Sequence, residues 1–485
     1  MQAIHESPFA GHWYPADCAE LRDLIAHVLQ NSAKRTGDFV RPGGAAFVVP
    51  HAAPMYSGTV AAAAYRHIEA AKPRRIALLG FSHRRGVEGI AVPQVEAIST
   101  PLGDTQIDVE GANALAGHPP FHTSQEQLLC DHSVELQLPF LQTVAPDAKV
   151  LPLYVGHLNQ PDRTTAANRL RWLLNDGAAF VASSDLTHYG REFGYLPFPV
   201  DEDTPGRLDS LDGDVMNAAG SLDAELFLEE LRRNRSTVCG YEPISLLLET
   251  LRAAPGEEIF QETLDYQTSG EITSDYAHSV SYGALGYFPA SAFLLGADAR
   301  QAMLESARRT MDDLQSTGER HPVPAADMRE LSQRLGIFVT LYQRGDLQGC
   351  IGRCHDPEPL ALSVPNLTLS AALEDARFEP LRRSEAVEIE VSVLSPLKRI
   401  RNPDHLIAGE HGGYLESGPR AGLLLPTVAS ERGWNAHQFL QALAQKAGLP
   451  SSIYETGGAR LSVFRAQVFG DNRAPKAHDT TSHTQ

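Results

Sequence analysis

The chain has 485 residues, of which 42% are apolar and 21% are charged, with a formal net charge of −19. This length exceeds one ordinary core, so we expect two or three domains of a globular protein. The acidic charge excludes partners such as nucleic acid and anionic membranes. No apolar stretch approaches the roughly 20 residues that span a bilayer. The N-terminus does not read as a secretory signal, and five scattered cysteines favour a reduced, cytoplasmic protein.

Four apolar runs in the first half of the chain each end at a histidine. Such runs are typical of strands buried on both faces of a parallel sheet. Helical stretches, among them Ser133–Leu141 and Ala224–Asn234, alternate with them, which predicts βαβ units and an α/β fold. Ligands bind outside the carboxyl ends of such strands, so the histidines indicate a metal or acid–base site. They are His51, His83, His157 and His188.

Other polar residues lie close to these histidines in the sequence. Asp185 precedes His188 by three residues, which predicts a proton-transfer pair because the imidazole pKa lies near neutrality. Cys239 lies just before a helical run and offers a thiolate to the same pocket. His132 belongs to a further polar cluster. Each residue also has a structural interpretation, such as a hydrogen-bonded loop histidine, a core cysteine or a capping aspartate. We assign only such a role to His157.

The first half also carries six ordered motifs that resemble the MEMO-like family. That family has the α/β fold of the class III extradiol ring-cleaving dioxygenases, and the resemblance implies this fold for residues 1–290. It also implies iron as the expected metal, with copper as the alternative because a soft thiolate suits copper(I). The motifs are Ala10–Pro15, Pro50–Ala52, Leu79–His83, Asp131–Glu135, Ser183–His188 and Val238–Gly240.

The resemblance assigns roles to particular residues. His51, His83 and Cys239 match the family's metal ligands, and Asp185 and His188 line the pocket. The chain departs from the family at two places. It has Ala53 where the family has glycine, and Phe81 where the family has proline, which is expected to alter the pocket wall. Glu242 lies three residues after Cys239, so the third ligand is either sulfur or oxygen.

The sequence changes character near residue 290, where antiparallel signals begin. A turn between two short apolar runs is a hairpin signature, and a later segment alternates polar and apolar residues like a half-buried strand. We therefore expect a smaller α+β domain at 295–472, followed by a disordered polar tail at 473–485. The predicted elements are a helix at 299–316, strands at Gly336–Tyr342, Leu347–Ile351 and Glu388–Leu394, and helices at Leu367–Ala376 and Asn435–Ala447.

The second domain resembles the AMMECR domain family over about residues 299–470, through the motifs Leu347–Gly352, Glu374–Leu381, Ile389–Leu394 and Gly422–Pro426. Gln348 replaces the family's arginine, which removes a cation that would bind an anionic group. Cys350 is the candidate nucleophile or redox thiol, with His355 or His411 as its base. The alternative, which the sequence slightly favours, is a buried strand residue without a catalytic role.

Together the domains resemble two components of a bacterial and archaeal system whose third member is a radical SAM protein, so the resemblance implies that partner. Fusion would hold the two parts at high effective concentration. We expect a metal-dependent oxidoreductase, dioxygenase-like in fold, that acts on an unknown small-molecule substrate. In this hypothesis His188, oriented by Asp185, moves a proton and His132 assists. The alternative is a non-catalytic module that binds a metal or another ligand.

Overall fold

The computed structural model describes residues 4–84, 86–124, 131–254, 256–381, 386–454 and 457–471. The chain divides into two compact units, Met1–Ala292 and Phe293–Gln485, called here the N-terminal and C-terminal units. The tail predicted to be disordered, 473–485, lies outside the described residues. Among the described helices, none is long and apolar enough to cross a membrane.

The N-terminal unit contains twelve strands and ten helices within its described residues. The strands are β1 (Ile4–Glu6), β2 (Ala46–Val49), β3 (Arg75–Gly80), β4 (Ile90–Pro93), β5 (Ala97–Thr100), β6 (Gly103–Gln106), β7 (Phe121–Ser124), β8 (Lys149–Val155), β9 (Ala179–Ser183), β10 (His188–Gly190), β11 (Ile259–Thr268) and β12 (His278–Pro289). The helices are α1 (Cys18–Thr36), α2 (Pro54–Ala71), α3 (Val109–Leu115), α4 (His132–Glu135), α5 (Leu138–Val144), α6 (Gln160–Asn175), α7 (Thr204–Ala219), α8 (Ala224–Asn234), α9 (Tyr241–Arg252) and α10 (Ser269–Thr273).

Nine of these strands form one mixed sheet in the order β10-β12-β2-β9-β3-β8-β4-β7, with β11 paired to β12. The four neighbours β2, β9, β3 and β8 are mutually parallel, whereas β12 and β4 flank them in the antiparallel direction. These four strands are the apolar runs that precede the histidines, so the parallel-sheet prediction is confirmed. Their carboxyl ends meet at one edge of the sheet. Strands β1, β5 and β6 form a separate small sheet.

Burial on both faces explains why the central strands are continuously apolar. All residues of β2 and β9 are buried, and helices such as α6, α8 and α9 pack on the sheet to form one apolar cluster. The predicted helix at Ala224–Asn234 agrees with α8 at both ends. The predicted helical segment Ser133–Leu141 is instead two short helices, α4 and α5. Pro139 lacks the backbone N–H that a continuous helix would need there.

The C-terminal unit contains two four-stranded sheets, β14-β13-β15-β20 and β16-β19-β17-β18, and all their pairings are antiparallel. The α+β prediction for this half is therefore confirmed. Its elements are α11 (Ala297–Thr317), β13 (Gly336–Gln343), β14 (Asp346–Arg353), α12 (Leu360–Leu373), β15 (Glu388–Leu394), β16 (Lys398–Ile400), β17 (Gly412–Ser417), β18 (Arg420–Leu424), α13 (Pro426–Arg432), α14 (Ala436–Lys446), β19 (Arg460–Phe464) and β20 (Ala466–Gly470).

Two local features of this unit follow from the sequence. The β13–β14 hairpin turns at Arg344 and Gly345, both with positive φ, the conformation of a tight hairpin turn. Helix α12 begins before the predicted range and contains Pro365, which cannot bond to the carbonyl of Ala361. That carbonyl instead accepts the backbone N–H of Ala325 at 3.1 Å. The helix therefore tolerates an internal proline without leaving this acceptor unsatisfied.

Candidate metal centre

The carboxyl ends of β2, β3 and β9 bring His51, His83 and Asp185 to one edge of the parallel sheet. His188 is the first residue of β10, a short strand that follows the carboxyl end of β9 in the chain and pairs with β12. His157 follows the fourth parallel strand but does not join them. Its ring is 81% exposed and pairs with Glu242, with 2.9 Å between Nδ1 and Oε1. The structural role assigned to His157 agrees with this position.

His51 lies at the centre of the site and is 2% exposed. Its Nδ1 lies 3.0 Å from Ser183 Oγ, its Nε2 lies 3.2 Å from Cys239 Sγ, and its backbone N–H donates to Asp185 Oδ1 at 2.8 Å. Burial and the neighbouring His83 lower the pKa of His51 to about 3. The ring is therefore neutral near pH 7 and keeps a lone pair for a metal.

Cys239 reaches His51 because Gly240 permits a close approach between chain segments. The Gly240 N–H donates to Ser184 Oγ at 2.9 Å, and a Cβ at this position would lie 2.4 Å from Ser183 O. Burial and nearby Asp185 raise the pKa of the Cys239 thiol well above its usual range. Without a metal, the S–H group therefore donates to His51 Nε2, and His51 Nδ1–H donates to Ser183. Binding of a cation would displace the thiol proton.

Asp131 organises a second pair of imidazoles. It accepts His83 Nδ1–H at 2.7 Å and the His83 backbone N–H at 2.9 Å, and it lies 3.4 Å from His132 Nδ1. Burial opposes ionisation of Asp131, but the hydrogen bond from His83 and the proximity of His132 hold its pKa well below its usual range. When a carboxylate accepts the Nδ1–H of an imidazole, Nε2 remains as the atom that can bind a metal. This arrangement is common at metal-bound histidines.

The donor atoms form two groups that share His51. One contains His51, His83 and His132, and the other contains His51, Asp185 and Cys239; within each, the donor atoms lie within 4.8 Å of one another. Neither group contains both His83 and Cys239, which the sequence expectation placed around one ion. His132, predicted to assist catalysis, lies among the potential ligands. Among the described residues, the groups also leave out Glu242, which faces His157.

The sequence predicted His188 and Asp185 as a proton-transfer pair in which Asp185 orients His188, but the hydrogen bonds of these two described residues go to other partners. His188 Nδ1 donates to the carbonyls of Thr237, at 3.1 Å, and Leu186, at 3.2 Å. Asp185 instead accepts the His51 backbone N–H, and burial raises its pKa. Backbone carbonyls therefore orient His188, and Nε2 is the atom that can accept a proton. Spacing in the sequence cannot reveal this, because any residue can supply a carbonyl.

Aromatic side chains border the site. The Phe81 ring centroid lies 5.6 Å from that of His51 and 4.2 Å from that of His83. Phe81, which stands where the resembled family has proline, therefore forms part of the pocket wall. Trp13 stacks on His132 with 4.6 Å between centroids. Reasoning from sequence missed the roles of Trp13 and Asp131, although both lie within motifs that carry the resemblance.

Cys350 in the C-terminal unit has neighbours that differ from those expected. Its thiol accepts a hydrogen bond from Thr340 at 3.3 Å, and its backbone N–H donates to Asp375 at 2.8 Å. Arg377 donates to the Cys350 carbonyl at 3.1 Å. His411, one of the two predicted bases, accepts the Ile407 N–H at 3.1 Å. The described contacts thus connect Cys350 to an aspartate–arginine pair rather than to an imidazole.

Residues 5–286 match the family described as Memo-like protein, and residues 304–469 match the family AMMECR1. A MEMO1 family protein of Thermoplasma acidophilum is 32% identical over 57% of this chain and 96% of its own length. The memo-1 homolog of Caenorhabditis elegans is 28% identical over 57% of this chain and 80% of its own length.

Among solved structures, an uncharacterised protein of Pyrococcus horikoshii is 31% identical, with a TM-score of 0.34, over 35% of this chain and 90% of its own length. Among relatives compared by sequence alone, a protein of Methanopyrus kandleri is 40% identical over 29% of this chain and 73% of its own length. Because the Memo-like match at residues 5–286 covers more than half of the sequence, the chain belongs to the Memo-like family, and it carries an AMMECR1 domain after its Memo-like domain.

Proposed function

We propose that the protein is a metal-dependent oxidoreductase that acts on a small molecule at the centre around His51. The observation that carries this proposal is the convergence of two donor groups on His51 at the carboxyl edge of the parallel sheet. Catalytic metal sites leave some coordination positions to substrate. Solvent reaches the centre, because 30% of the His83 side chain is exposed.

The donor set fits a redox metal of the first transition row. Burial lowers the pKa of both His51 and His132 to about 3, so their rings are neutral ligands near pH 7. Imidazole suits iron and copper, and thiolate favours copper(I). Iron remains the expected metal in this proposal, with copper as the alternative. Bound at these residues, either metal would supply one-electron chemistry and positions for substrate or O2.

The protein's own side chains contribute proton handling and shielding. His188 Nε2 accepts a proton from substrate, because two backbone carbonyls hold its Nδ1–H. Asp185 fixes the loop that carries His51 through the backbone hydrogen bond. Trp13 and Phe81 cover imidazole faces and limit the access of water. These roles require positioned groups rather than flexible ones.

Two further parts of the proposal rest on the resemblance. The extradiol dioxygenase-like fold that the resemblance implies supports O2 as the oxidant, and the pairing of Memo-like and AMMECR1 domains in one chain supports a radical SAM protein as partner. Copurification of the full chain with a radical SAM protein from the same organism tests the second part. Absence of the complex under anaerobic conditions would contradict it.

The test of function combines metal analysis with oxygen uptake by the full chain. Protein purified anaerobically should hold iron or copper that His51→Ala removes, and His188→Ala should keep the metal but abolish uptake with an active substrate. His157→Ala is the matched control, because it alters a strand-end histidine that faces solvent. Protein without bound metal contradicts the proposal. Metal binding without turnover across a substrate panel would favour the non-catalytic binding module instead.

A further inference from the structure

A chain of buried hydrogen bonds runs from helix α2 to the His51 ring. The Tyr65 hydroxyl donates to Gln137 Oε1 at 2.5 Å, and Gln137 Nε2 donates to Ser183 Oγ at 3.0 Å. Ser183 Oγ in turn lies 3.0 Å from His51 Nδ1. None of these four residues is more than 2% exposed. Because they are shielded from solvent, their polar atoms depend on one another for hydrogen bonds.

The bonding capacity of the Gln137 amide fixes the direction of this chain. Gln137 Nε2 also donates to the Pro50 carbonyl at 2.9 Å, and a carbonyl can only accept. The NH2 group must therefore face Pro50 and Ser183, which leaves Oε1 for the Tyr65 hydroxyl. Burial raises the pKa of Tyr65 well above its usual range, so the hydroxyl keeps its proton and donates it. Both N–H groups and the carbonyl of the amide are thereby satisfied.

The two groups that accept from Gln137 both control the position of His51. Pro50 immediately precedes His51 in the chain, so one N–H of the amide holds the backbone that carries the imidazole. The other N–H holds Ser183, whose Oγ accepts the Nδ1–H of the imidazole. The opposite nitrogen, Nε2, then points towards Cys239 and is the atom left for a metal. A hydrogen bond on the far nitrogen commonly orients a ligating histidine.

The helices that carry Tyr65 and Gln137 do not need these polar groups in order to pack. Tyr65 stacks on Phe140 with 4.7 Å between ring centroids and 9° between ring planes, a contact that the hydroxyl does not supply. Gln137 is the N-cap residue of α5, but its side chain caps no N–H of that helix. Burying an amide and a hydroxyl is costly unless hydrogen bonds compensate, and here the compensating bonds converge on His51.

We propose that Gln137, held by Tyr65, is the positioning residue that orients His51 as a metal ligand. This inference rests on the proposed metal-dependent function. It agrees with one ion bound by His51, His83 and Cys239, because it concerns only the side of the His51 ring that faces away from the ion. In the described hydrogen bonds, Tyr65 reaches His51 only through Gln137 and Ser183. Loss of either group should therefore lower metal affinity without removing a ligand.

The test measures the binding of cobalt(II) to anaerobic full-length protein by competition with a chromogenic chelator. Gln137→Met keeps an unbranched side chain but removes both N–H donors, and should weaken cobalt(II) binding about tenfold. Tyr65→Phe keeps the ring that stacks on Phe140 and should weaken binding by a smaller factor. The double variant should bind no more weakly than Gln137→Met alone, because Tyr65 acts through Gln137.

Gln142→Met is the matched control, since it makes the same change within α5. Gln142 Oε1 accepts the Thr100 hydroxyl at 2.6 Å, and Gln142 Nε2 donates to the Gly103 carbonyl at 2.7 Å. These partners belong to the small sheet of β1, β5 and β6. The variant loses as many side-chain hydrogen bonds to the amide N–H groups and carbonyl as a glutamine outside the chain can lose, yet its cobalt(II) affinity should equal that of the wild type.

The outcomes separate this inference from the proposed function. If Gln137→Met lowers only the unfolding temperature and its folded protein binds cobalt(II) like the wild type, the role of Gln137 is structural and the inference is wrong while the function stands. Additive losses in the double variant would also contradict it, because Tyr65 would then act by another route. If wild-type protein binds no cobalt(II), iron or copper, the inference and the proposed function fail together. If Gln137→Met does not fold, wild-type affinity in Tyr65→Phe overturns the inference.

Discussion

Replacing Asp131 by asparagine tests how the structure positions the metal-binding imidazoles. The two carboxylate oxygens have different partners: Oδ1 accepts the His83 ring at 2.7 Å and the Ser133 backbone at 3.0 Å, whereas Oδ2 accepts the His83 backbone at 2.9 Å. Asparagine has only one acceptor oxygen. Its amide NH2 group would therefore face an N–H donor in either orientation. Asp131 is 2% exposed, so water does not replace the lost acceptor.

Two magnitudes follow from this geometry. Loss of a buried acceptor for one donor costs about 1–3 kcal/mol of folding free energy. Loss of the carboxylate behind a ligating imidazole lowers metal affinity by about 10- to 100-fold, which equals about 1.4–2.8 kcal/mol. Both losses should occur in Asp131→Asn, because the same side chain serves the backbone and the ring.

Denaturant unfolding and chelator competition with cobalt(II) measure these two quantities. Asp17→Asn is the control, since Asp17 caps α1 with one oxygen, which accepts Ala19 N–H at 2.8 Å and Glu20 N–H at 3.0 Å. An asparagine oxygen can replace it there, so stability and affinity should change little. Wild-type affinity and stability in Asp131→Asn would refute the reasoning.

Three other substitutions have expected outcomes in denaturant unfolding. Gly156→Ala should destabilise the protein by about 1–3 kcal/mol or more, because its Cβ would lie 1.8 Å from Val87 O. Gly213 lies within α7, where no atom beyond the neighbouring helix backbone comes within 4 Å of a Cβ, so Gly213→Ala should stabilise the protein by about 0.5–1 kcal/mol. Asp375→Asn should cost about 1 kcal/mol at pH 7, since the hydrogen bond from Arg377 holds the pKa of Asp375 well below its usual range. This cost should shrink as the pH falls below about 4, the pKa of an aspartate in the unfolded chain. A carboxylate whose pKa is lowered by folding stabilises the protein fully above that pH, and this stabilisation is lost as the pH falls towards the pKa in the folded protein.

The two glycine substitutions should change the free energy of unfolding in opposite directions. Equal changes would mean that the space around the new Cβ does not determine their effect on stability. For Asp375, the result to look for is the trend with pH. A difference between wild type and variant that persists unchanged to pH 2 would show that ionisation of Asp375 does not contribute. Arg377 is 56% exposed on its side chain, so solvent screening keeps the expected cost small.

Part of the fold and site is predictable because the physics is local. Strands β2, β3, β8 and β9 are recognisable as apolar runs, since a strand buried on both faces has no polar side to alternate with. The antiparallel character of the second half is visible in the Arg344–Gly345 turn and in the alternation of β15. The expected cluster of His51, His83 and Asp185 follows from the rule that parallel strands end at one edge of a sheet.

Other features depend on contacts between distant segments. His157 follows a strand of the same kind as the others, yet its ring turns to Glu242 and solvent. No apolar strand run precedes Cys239 in the sequence to mark it as a site residue. Its thiol reaches His51 only because Gly240 permits close contact with Ser183. No local pattern distinguishes these cases, because the energy that separates them comes from packing between residues far apart in the chain.

The sequence by itself therefore determined which segments become buried strands and which residue types collect at their ends. Only the tertiary structure decided how those residues are grouped. It placed His132 beside His83 through the packing of α4 on β3, and it separated His83 from Cys239 into two groups that share His51. The physical reason is that burial pattern is a property of each segment, whereas the distance between two donor atoms depends on the packing of several segments at once.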